Sequence, residues 1–324
     1  MAMTFDLQRR RTRFLDAMRR YFTEEGYLEV ETPILAPALI PEAPIEAFET
    51  QHYSSEGGQP LYLIPSPEVH MKKLIAAGSG DIFQFIRCFR NAEQSGRQHN
   101  PEFTMLEWYT MGADYLSSAE TAEELFRAVL PAEAPAHLRP PFRRMSVQEA
   151  FQRYAGFDLA RNLTAAALEE RIRELGLSPS GEEADWEERF NRIFLTFVEP
   201  ELPQDRPLVL MDYPSKLSCL AREKNGTPWR ERWELYAGGI EIANCFSEET
   251  SPGKVRRFFA EETAKQSTGS NVIPDADEEF LRLFDGGTFP ECSGTALGFD
   301  RLLMAVEGID SIEGVIFFPL SATV

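Results

Sequence analysis

The amino-acid sequence predicts an α+β fold, in which amphipathic helices accompany strands joined by loops and tight turns. Residues 87–109 read as an apolar strand, a polar loop and a returning strand, which is the pattern of a β-hairpin. Residues 7–22 instead carry apolar side chains at helical spacing. Residues 208–324 again have strand-like sequence interrupted by glycine. We therefore expect both the N-terminal and the C-terminal parts of the chain to contribute strands.

The predicted elements follow in order along the chain. The first helix, residues 7–22, stops near Gly26, and an extended segment through Pro33 follows it. Residues 65–77 predict a second helix, with prolines at its entrance and a glycine at its exit. Residues 81–90 predict a buried strand that enters the hairpin. Residues 113–207 are helix-rich and carry no chemical motif, and we interpret them as a helical insertion within a single domain spanning residues 1–324.

Composition excludes several classes of protein. With 324 residues, 43% of them hydrophobic, the chain can bury a large core. No apolar run is long enough to span a bilayer, and the N-terminus lacks the apolar stretch of a signal peptide, which predicts a cytoplasmic protein without a membrane partner. The four cysteines lie far apart and in no CxxC pair, so free thiols are expected rather than zinc ligands or disulfides.

The charge balance bears on the choice of partner. Fifty-two acidic residues against thirty-three basic ones leave a formal net charge of −19, which opposes broad binding to polyanions. The first helix could still present a local basic patch, and the alternative is a solvated helix face rich in arginine. The arginines concerned are Arg9, Arg10, Arg11, Arg13, Arg19 and Arg20.

The hairpin carries side chains that suit a nucleotide. Arg90 ends the first strand, and Phe103 lies on the returning strand. Guanidinium groups bind phosphate through paired hydrogen bonds, and an aromatic ring can cover a base. The hairpin is therefore a candidate nucleotide site.

Three separated segments resemble the signatures of class II aminoacyl-tRNA synthetases, and in particular their lysyl branch. The segments are GYLEVETPIL at residues 26–35, the hairpin sequence at residues 87–109, and ALGFDRLLM at residues 296–304. The resemblance implies a class II catalytic fold, with an antiparallel sheet flanked by helices. It also implies a homodimer formed around a strand at Pro33, with ATP and Mg²⁺ as cofactors.

The resemblance assigns roles at an ATP site. Arg90 matches the arginine that bridges the α-phosphate and the substrate carboxylate, and Arg301 matches one that reaches the γ-phosphate and packs on adenine. Phe103 matches the ring on the opposite face of adenine, which gives stacking and cation–π contacts. Arg97 and His99 resemble loop residues that touch the β- and γ-phosphates, and a plain solvated loop is the alternative.

One departure from the family pattern concerns adenine recognition. The family sequence usually runs Arg-Asn-Glu, whereas this chain has an alanine inserted before Glu93. Either Glu93 shifts into the position that reads the adenine amino group, or that contact is lost.

The resemblance also implies a metal pair. Glu234 and Glu241 match two carboxylates that hold Mg²⁺ between phosphates, a ligand set that magnesium prefers. Taken alone, two strand glutamates of this kind would more often be solvated residues.

An amino-acid substrate with two amines needs buried carboxylates, because each ammonium group loses water on binding. Glu68 and Glu107 match the residues that bind the amine near the carboxyl end, and Glu248 and Tyr109 match those that bind the distal ε-ammonium. Asn244 matches the contact to the substrate carboxylate. The alternative for Glu248 is a place at the start of a helix.

The lysyl-type relatives divide into complete synthetases and shorter ligases. The first predicted helix begins almost at residue 1, so no anticodon-binding barrel is expected before it. The wording of CFRN, HMKKLIAAG and CSGTALGFDRL is most similar to the shorter group, which attaches (R)-β-lysine to elongation factor P. Ala296 stands where synthetases have glycine, and its methyl group could alter substrate discrimination by about 1–3 kcal/mol.

The predicted function is therefore ATP-dependent activation of lysine or (R)-β-lysine as an adenylate, followed by transfer to a lysine side chain of elongation factor P. Binding to tRNA is expected to be weak or absent. Two alternatives stay open at this stage. One is a truncated enzyme that charges tRNA or another acceptor, and the other is a synthetase-like regulator without catalysis.

Overall fold

A large sheet forms the centre of the computed structural model, which describes residues 3–55, 57–92, 96–181 and 183–320. Eight strands of the described residues run in the order β1-β5-β6-β11-β10-β9-β8-β7. Neighbouring strands from β5 to β9, and β9 with β8, are antiparallel, whereas the short edge pairs β1–β5 and β7–β8 are parallel. The strands are β1 Leu28–Glu29, β5 Ile82–Phe89, β6 Glu102–Met111, β7 Arg143–Ser146, β8 Leu208–Pro214, β9 Trp229–Ala237, β10 Ile240–Ser247 and β11 Cys292–Gly298.

The residues between β1 and β5 form a smaller antiparallel sheet of three strands. It consists of β2 (Leu35–Ala36), β4 (Gly57–Leu63) and β3 (Phe48–Ser54), in that order. Its buried side chains, among them Tyr62, form a cluster with Ile86 and Met105 of the large sheet. The small sheet is therefore packed against the β5–β6 hairpin.

Helices cover both faces of the large sheet. Apolar residues of α1, α3 and α9 pack with Trp108, Trp233 and Leu297 into the main core behind the sheet. Residues of α2, α7 and α8 pack with Tyr109 into a separate cluster on the opposite face. The helices are α1 Phe5–Glu24, α2 Glu68–Ala76, α3 Tyr115–Val129, α4 Val147–Ala150, α5 Ala165–Glu174, α6 Trp186–Ile193, α7 Pro252–Gly269, α8 Glu278–Arg282 and α9 Phe299–Glu307.

The predicted α+β fold with an antiparallel sheet flanked by helices is confirmed. The helices predicted at residues 7–22 and 65–77 appear as α1 and α2, and the hairpin predicted at residues 87–109 is formed by β5 and β6. The N-cap of α1 is Thr4, whose hydroxyl accepts a hydrogen bond from the N–H of Leu7 at 3.2 Å.

The segment around Pro33 differs from the expected strand. Pro33 is exposed and lies between the two-residue strands β1 and β2, outside both. Proline cannot donate a backbone hydrogen bond, which interrupts strand pairing at this position.

The segment at residues 113–207, predicted as a helical insertion, contains two kinds of structure. Its first helix, α3, contributes Ala122 and Phe126 to the main core, and β7 joins the edge of the large sheet. The remaining helices form their own apolar cluster around Phe151 and Phe190, packed against β8. None of the helices in the described parts of the chain is long and apolar enough to cross a membrane. The four cysteines are free thiols, as predicted.

Candidate active site

A row of polar side chains crosses one face of the large sheet. Glu107, Ala296, Asn244 and Glu234 lie on four adjacent strands and are direct register partners. Side chains alternate between the two faces of a strand, so intervening residues such as Trp108 enter the main core behind the sheet. The strand register thus brings residues more than a hundred positions apart onto one surface.

A β-bulge adds Glu241 to this row. Glu241 pairs with Tyr236 and Ala243 pairs with Leu235, so one extra residue of β10 lies between them. The extra residue allows both Glu241 and Asn244, three positions apart, to line the cavities on this face. In a regular strand, residues three apart would point to opposite faces.

A tight turn of two glycines precedes the start of β10, the strand that carries Glu241. Gly238 and Gly239 connect β9 and β10 with φ values of 61° and 79°. Two consecutive residues in this left-handed region define the type of turn that joins twisted antiparallel strands, and glycine adopts it without steric cost. The turn sets the pairing that places Glu241 near Glu234.

Two cavities of about 250 Å³ each open on this face of the sheet. The residues common to both are Arg90, Met105, Glu241, Asn244 and Ala296. A ligand in one cavity would therefore meet a ligand in the other at this shared wall.

The first cavity collects the predicted ATP-binding residues. Arg90, His99, Phe103 and Arg301 all line it. The guanidinium carbon of Arg90 lies 5.3 Å from the ring centroid of Phe103, within cation–π distance. Arg97 is exposed, and its backbone carbonyl accepts a hydrogen bond from Ile312. Glu93 lies outside the residues that the structure describes.

Arg301 lines the first cavity, and polar contacts hold its side chain in place. Its Nε donates to the carbonyl of Gln98 at 3.2 Å, and its Nη1 donates to the carbonyl of Glu241 at 3.1 Å. The same nitrogen lies 3.5 Å from the Glu241 carboxylate. Arg301 thus connects the loop between the two hairpin strands to β10.

A buried ion pair positions the helix that carries Arg301. Asp300, the preceding residue, is 1% exposed, and its two carboxylate oxygens accept from Arg11 at 2.5 Å and from the N–H of Thr104 at 2.6 Å. Arg11 also donates to the hydroxyl of Thr104 at 2.8 Å. The contact joins α1, β6 and α9 at one point.

Arg10, Arg11 and Arg19 of α1 form ion pairs within the protein. Arg11 is buried against Asp300, Arg10 pairs with Asp6 and Glu307, and Arg19 pairs with Glu29. For these three arginines the pairs favour a structural role over a basic patch.

The second cavity collects the predicted amino-acid-binding residues. Its lining includes Glu68, Glu107, Tyr109 and Glu248. Glu107 is 2% exposed and accepts from Tyr109 Oη at 2.9 Å and from the hydroxyl of Ser66 at 2.8 Å. Burial raises the pKa of Glu107 to about 8, and the charge of Glu68 adds to the effect.

Glu248 lies at the inner end of this cavity. It is 1% exposed, and its Oε2 is 2.5 Å from the ammonium nitrogen of Lys72. Burial raises the pKa of Glu248 to about 8, although Lys72 acts in the opposite direction. The neighbouring Glu249, by contrast, accepts from the N–H of Ser251, the residue immediately before α7. The alternative of a helix-start position therefore describes Glu249.

Gly294 provides the space at the inner end. A Cβ atom on this residue would lie 2.5 Å from Tyr109 Cε1 and 2.6 Å from Glu248 Oε1. Such distances are shorter than any ordinary contact, so only glycine fits without displacing these two side chains. The adjacent Ala296 does carry a methyl group, at the wall shared by the two cavities.

The predicted metal carboxylates lie close together but have different surroundings. Glu241 lines both cavities, and burial together with Glu234 raises its pKa to about 7, against the opposing charge of Arg301. A carboxylate that lines both cavities is in a position to bind a magnesium ion between nucleotide and substrate. Glu234 already accepts from Arg232 at 2.7 Å, Tyr213 at 2.6 Å and Tyr236 at 2.9 Å. No group of three or more possible metal ligands occurs among the described residues.

The sequence reasoning missed three charged residues of the second cavity region. Lys72 contacts Glu68 and Glu248, and its position four residues after Glu68 on α2 was an available signal. Arg232 donates to Asn244 Oδ1 at 2.9 Å. This contact depends on the pairing of β9 with β10, which the sequence alone does not show.

The third missed residue is Glu42, which lines the second cavity from the loop between β2 and β3. It is partly buried, and burial with the charge of Glu68 raises its pKa to about 7, opposed by Arg90. A carboxyl group that titrates near neutrality can accept a proton during a reaction. No local pattern marks it.

The match to a known family covers nearly the whole chain. Residues 4–322 match the family model described as tRNA synthetases class II (D, K and N). The chain belongs to this family, and the resemblance read from its three signature segments is confirmed.

Individual relatives are similar over almost their whole length. Elongation factor P–(R)-β-lysine ligase from Pectobacterium atrosepticum is 38% identical over 316 residues, which cover 96% of this chain and 94% of the relative. The proteins of the same name from Proteus mirabilis and Vibrio cholerae are 37% and 36% identical, with the same coverage of 96% and 94%.

Proposed function

We propose that this protein is an ATP-dependent ligase that activates lysine or (R)-β-lysine as an adenylate and transfers it to a lysine side chain of elongation factor P. The observation that carries the proposal is the pair of cavities that share a wall at Arg90, Asn244 and Ala296. One cavity has the arginines and aromatic ring of a nucleotide site, and the other is lined by several glutamates, of which Glu107 and Glu248 are buried. The similarity to relatives named elongation factor P–(R)-β-lysine ligase supports the acceptor.

The first step joins the two ligands at the shared wall. The carboxylate of the amino acid attacks the α-phosphorus of ATP, the new bond forms between oxygen and phosphorus, and pyrophosphate leaves. Both reactants are anionic where they meet, so positioned cations lower the barrier. Arg90 lies at this meeting point, and Arg301 lines the nucleotide cavity.

The metal site of the proposal rests mainly on Glu241. Glu241 would hold Mg²⁺ together with phosphate oxygens, and Glu234 would join it if the ion displaced Arg232 from the carboxylate. A bound Mg²⁺ supplies neutralisation of phosphate charge.

The second cavity selects the substrate by charge. Glu68 and Glu107 would bind the amine near the carboxyl group, whereas Glu248 and Tyr109 would bind the distal ammonium. Buried carboxylates discriminate strongly, because a neutral side chain would leave them without a partner. In the second step the amine of the acceptor lysine attacks the carbonyl carbon of the adenylate, and AMP leaves.

The surface supports a homodimer. Leu28, Ile34 and Leu35 are 56%, 40% and 40% exposed and lie close together in sequence around Pro33. Exposed apolar residues in such a group are typical of an interface.

Pyrophosphate exchange tests the activation step. The wild-type protein should exchange pyrophosphate into ATP only with Mg²⁺ and a lysine-like amino acid, and Arg301→Ala should abolish exchange while leaving the fold intact. Arg9→Ala, an exposed arginine on α1, serves as the control. Exchange that survives Arg301→Ala unchanged would contradict the assignment.

Ala296 tests the isomer preference. Ala296→Gly removes a methyl group from the wall beside Asn244 and Glu107, its register partners. The preference should shift from (R)-β-lysine towards α-lysine by about 1–3 kcal/mol, since the α-amine gains the freed space. Comparing kcat/KM for both isomers in the two proteins measures the shift. An unchanged ratio would show that the methyl group is a neutral packing feature.

A further inference from the structure

Lys72 is a buried cation inside a pocket that the proposed function assigns to a cationic substrate. It is 1% exposed, and its ammonium nitrogen lies 2.5 Å from Glu68 Oε1 and 2.5 Å from Glu248 Oε2. Its nitrogen also lies 5.6 Å and 5.8 Å from the ring centroids of Phe246 and Phe280. The ammonium group therefore bridges two carboxylates beneath the floor of the cavity.

The bridge uses one oxygen of each carboxylate. Neither oxygen of Glu248 has a hydrogen-bond partner among the described residues, but Oε2 forms the ion pair with Lys72, whereas Oε1 lies beside Gly294, which lines the cavity. A buried carboxylate oxygen without a partner costs free energy, and an ammonium group of a ligand would remove that cost. The free oxygen thus faces the place where the distal amine would bind.

Lys72 offsets negative charge at the inner end of the cavity. The charge of Glu68 raises the pKa of both Glu107 and Glu248, whereas Lys72 lowers the pKa of both. Its ammonium nitrogen contacts Glu68 and Glu248 directly. Without Lys72 these buried carboxylates would take up protons more readily, because the cation beside them would be lost.

We infer that Lys72 is a specificity-determining positioning residue, which bridges Glu68 and Glu248 and favours the ionised form of Glu248 that the distal amine of the substrate needs. This inference rests on the proposed function, because it concerns how that substrate is recognised. Lys72 need not touch the substrate, and it acts through Glu248.

Titratable groups from several neighbouring elements surround the ammonium group of Lys72. Glu68 lies on α2, Glu107 and Tyr109 lie on β6, and Glu248 follows β10. Cys292 of β11 is buried near both Glu248 and Lys72. Burial would lower the pKa of Lys72, but Glu248 and Glu68 outweigh this effect, and the pKa stands above its ordinary value. Lys72 therefore stays charged throughout the working range of pH.

The test compares Lys72→Met with Lys73→Met. Lys73 is the next residue of the same helix. Its ammonium nitrogen lies 2.7 Å from Asp277, and neither residue lines the cavity. Pyrophosphate exchange in the wild type is measured first, with each lysine isomer, across pH 6 to 9. No exchange in the wild type would overturn the proposed function itself, whereas the variants decide the role of Lys72.

The expected result has three parts. Lys72→Met should raise the KM for the amino acid at pH 7.5 by about tenfold or more with kcat within threefold, and it should move the pH at which KM levels off upwards by about one unit. Adding Glu248→Gln to Lys72→Met should raise KM by less than threefold further, because Glu248 is already protonated in that background. Lys73→Met should behave as the wild type does.

A purely structural role predicts a different outcome. Lys72→Met would then lower the melting temperature while KM and its pH profile matched those of Lys73→Met, and Glu248→Gln would show its full effect in both backgrounds. Either finding overturns the inference. If Lys72→Met does not fold, Lys72→Gln is measured in its place, since it keeps a hydrogen-bond donor without the charge, and the same two outcomes decide.

Discussion

At the scale of single residues, Glu248 carries the distal selectivity of the proposed pocket. Glu248→Gln keeps the size of the side chain but removes the charge, and should cost about 2–5 kcal/mol in apparent binding of lysine or (R)-β-lysine, because the pair is desolvated. The measurement is KM in pyrophosphate exchange. Glu249→Gln, which alters the neighbouring carboxylate at the start of α7, is the matched control. An unaltered KM for Glu248→Gln would place this residue outside the pocket.

The pH dependence of substrate binding follows from the same carboxylates. Burial raises the pKa of Glu107 and of Glu248 to about 8 in the free protein, so both hold protons over part of the neutral range. An ammonium ligand needs them ionised. The KM for lysine should therefore fall as pH rises from 6 towards 8, and level off above it.

The raised pKa values of Glu107 and Glu248 also affect stability, which should fall as pH rises, whereas substrate binding should improve. A folded-state pKa above the unfolded value means that the folded state holds more protons, so the free protein loses stability as pH rises from about 4.5 to about 8. Bound lysine should reverse this loss, and the rise in melting temperature on adding lysine should be larger at pH 8 than at pH 6. A lysine effect that is equal at both values would show that these carboxylates do not exchange protons on binding.

At the scale of elements, the contact between α1 and α9 positions the nucleotide site. Arg11→Met would leave Asp300 charged and buried, and should destabilise the fold by about 3–5 kcal/mol. It should also raise the KM for ATP, since Arg301 follows Asp300 on the same helix. Thermal unfolding and exchange kinetics measure the two effects, with the exposed Arg9→Met as control. A melting temperature equal to that of the control would contradict this role.

The strand elements show why the polar row could not be assembled from local patterns. Glu234 and Asn244 become neighbours only through the register of β9 and β10, and the bulge after Glu241 changes which residues share a face. Register depends on the turn and on core packing at many positions at once. A short stretch of sequence does not show which distant strand it will pair with or in what register.

At the scale of the whole molecule, net charge separates the two possible acceptors. With a formal charge of −19, and with Arg10, Arg11 and Arg19 of α1 engaged in ion pairs, tRNA should bind weakly and with steep salt dependence. Modification of elongation factor P should be far more efficient than aminoacylation of tRNA. The comparison uses the same enzyme, ATP and lysine isomer with each acceptor. Equal charging of tRNA, or modification of no protein, would contradict the proposed acceptor.

The sequence by itself determined the fold class, the α1 and α2 helices, the hairpin and the family. These features depend on local periodicity, on cap and turn residues, and on short motifs that are legible in order along the chain. Arg90, Phe103 and Arg301 stood in such motifs, and the structure brings all three to one cavity.

Only the tertiary structure decided how the charges of the site are balanced. Lys72 appeared as one basic residue of a helix, and Arg11 as one of six arginines, yet both are buried against carboxylates from distant segments. Electrostatic interactions depend on the distance between groups and on their loss of water, and both are set by packing rather than by spacing along the chain.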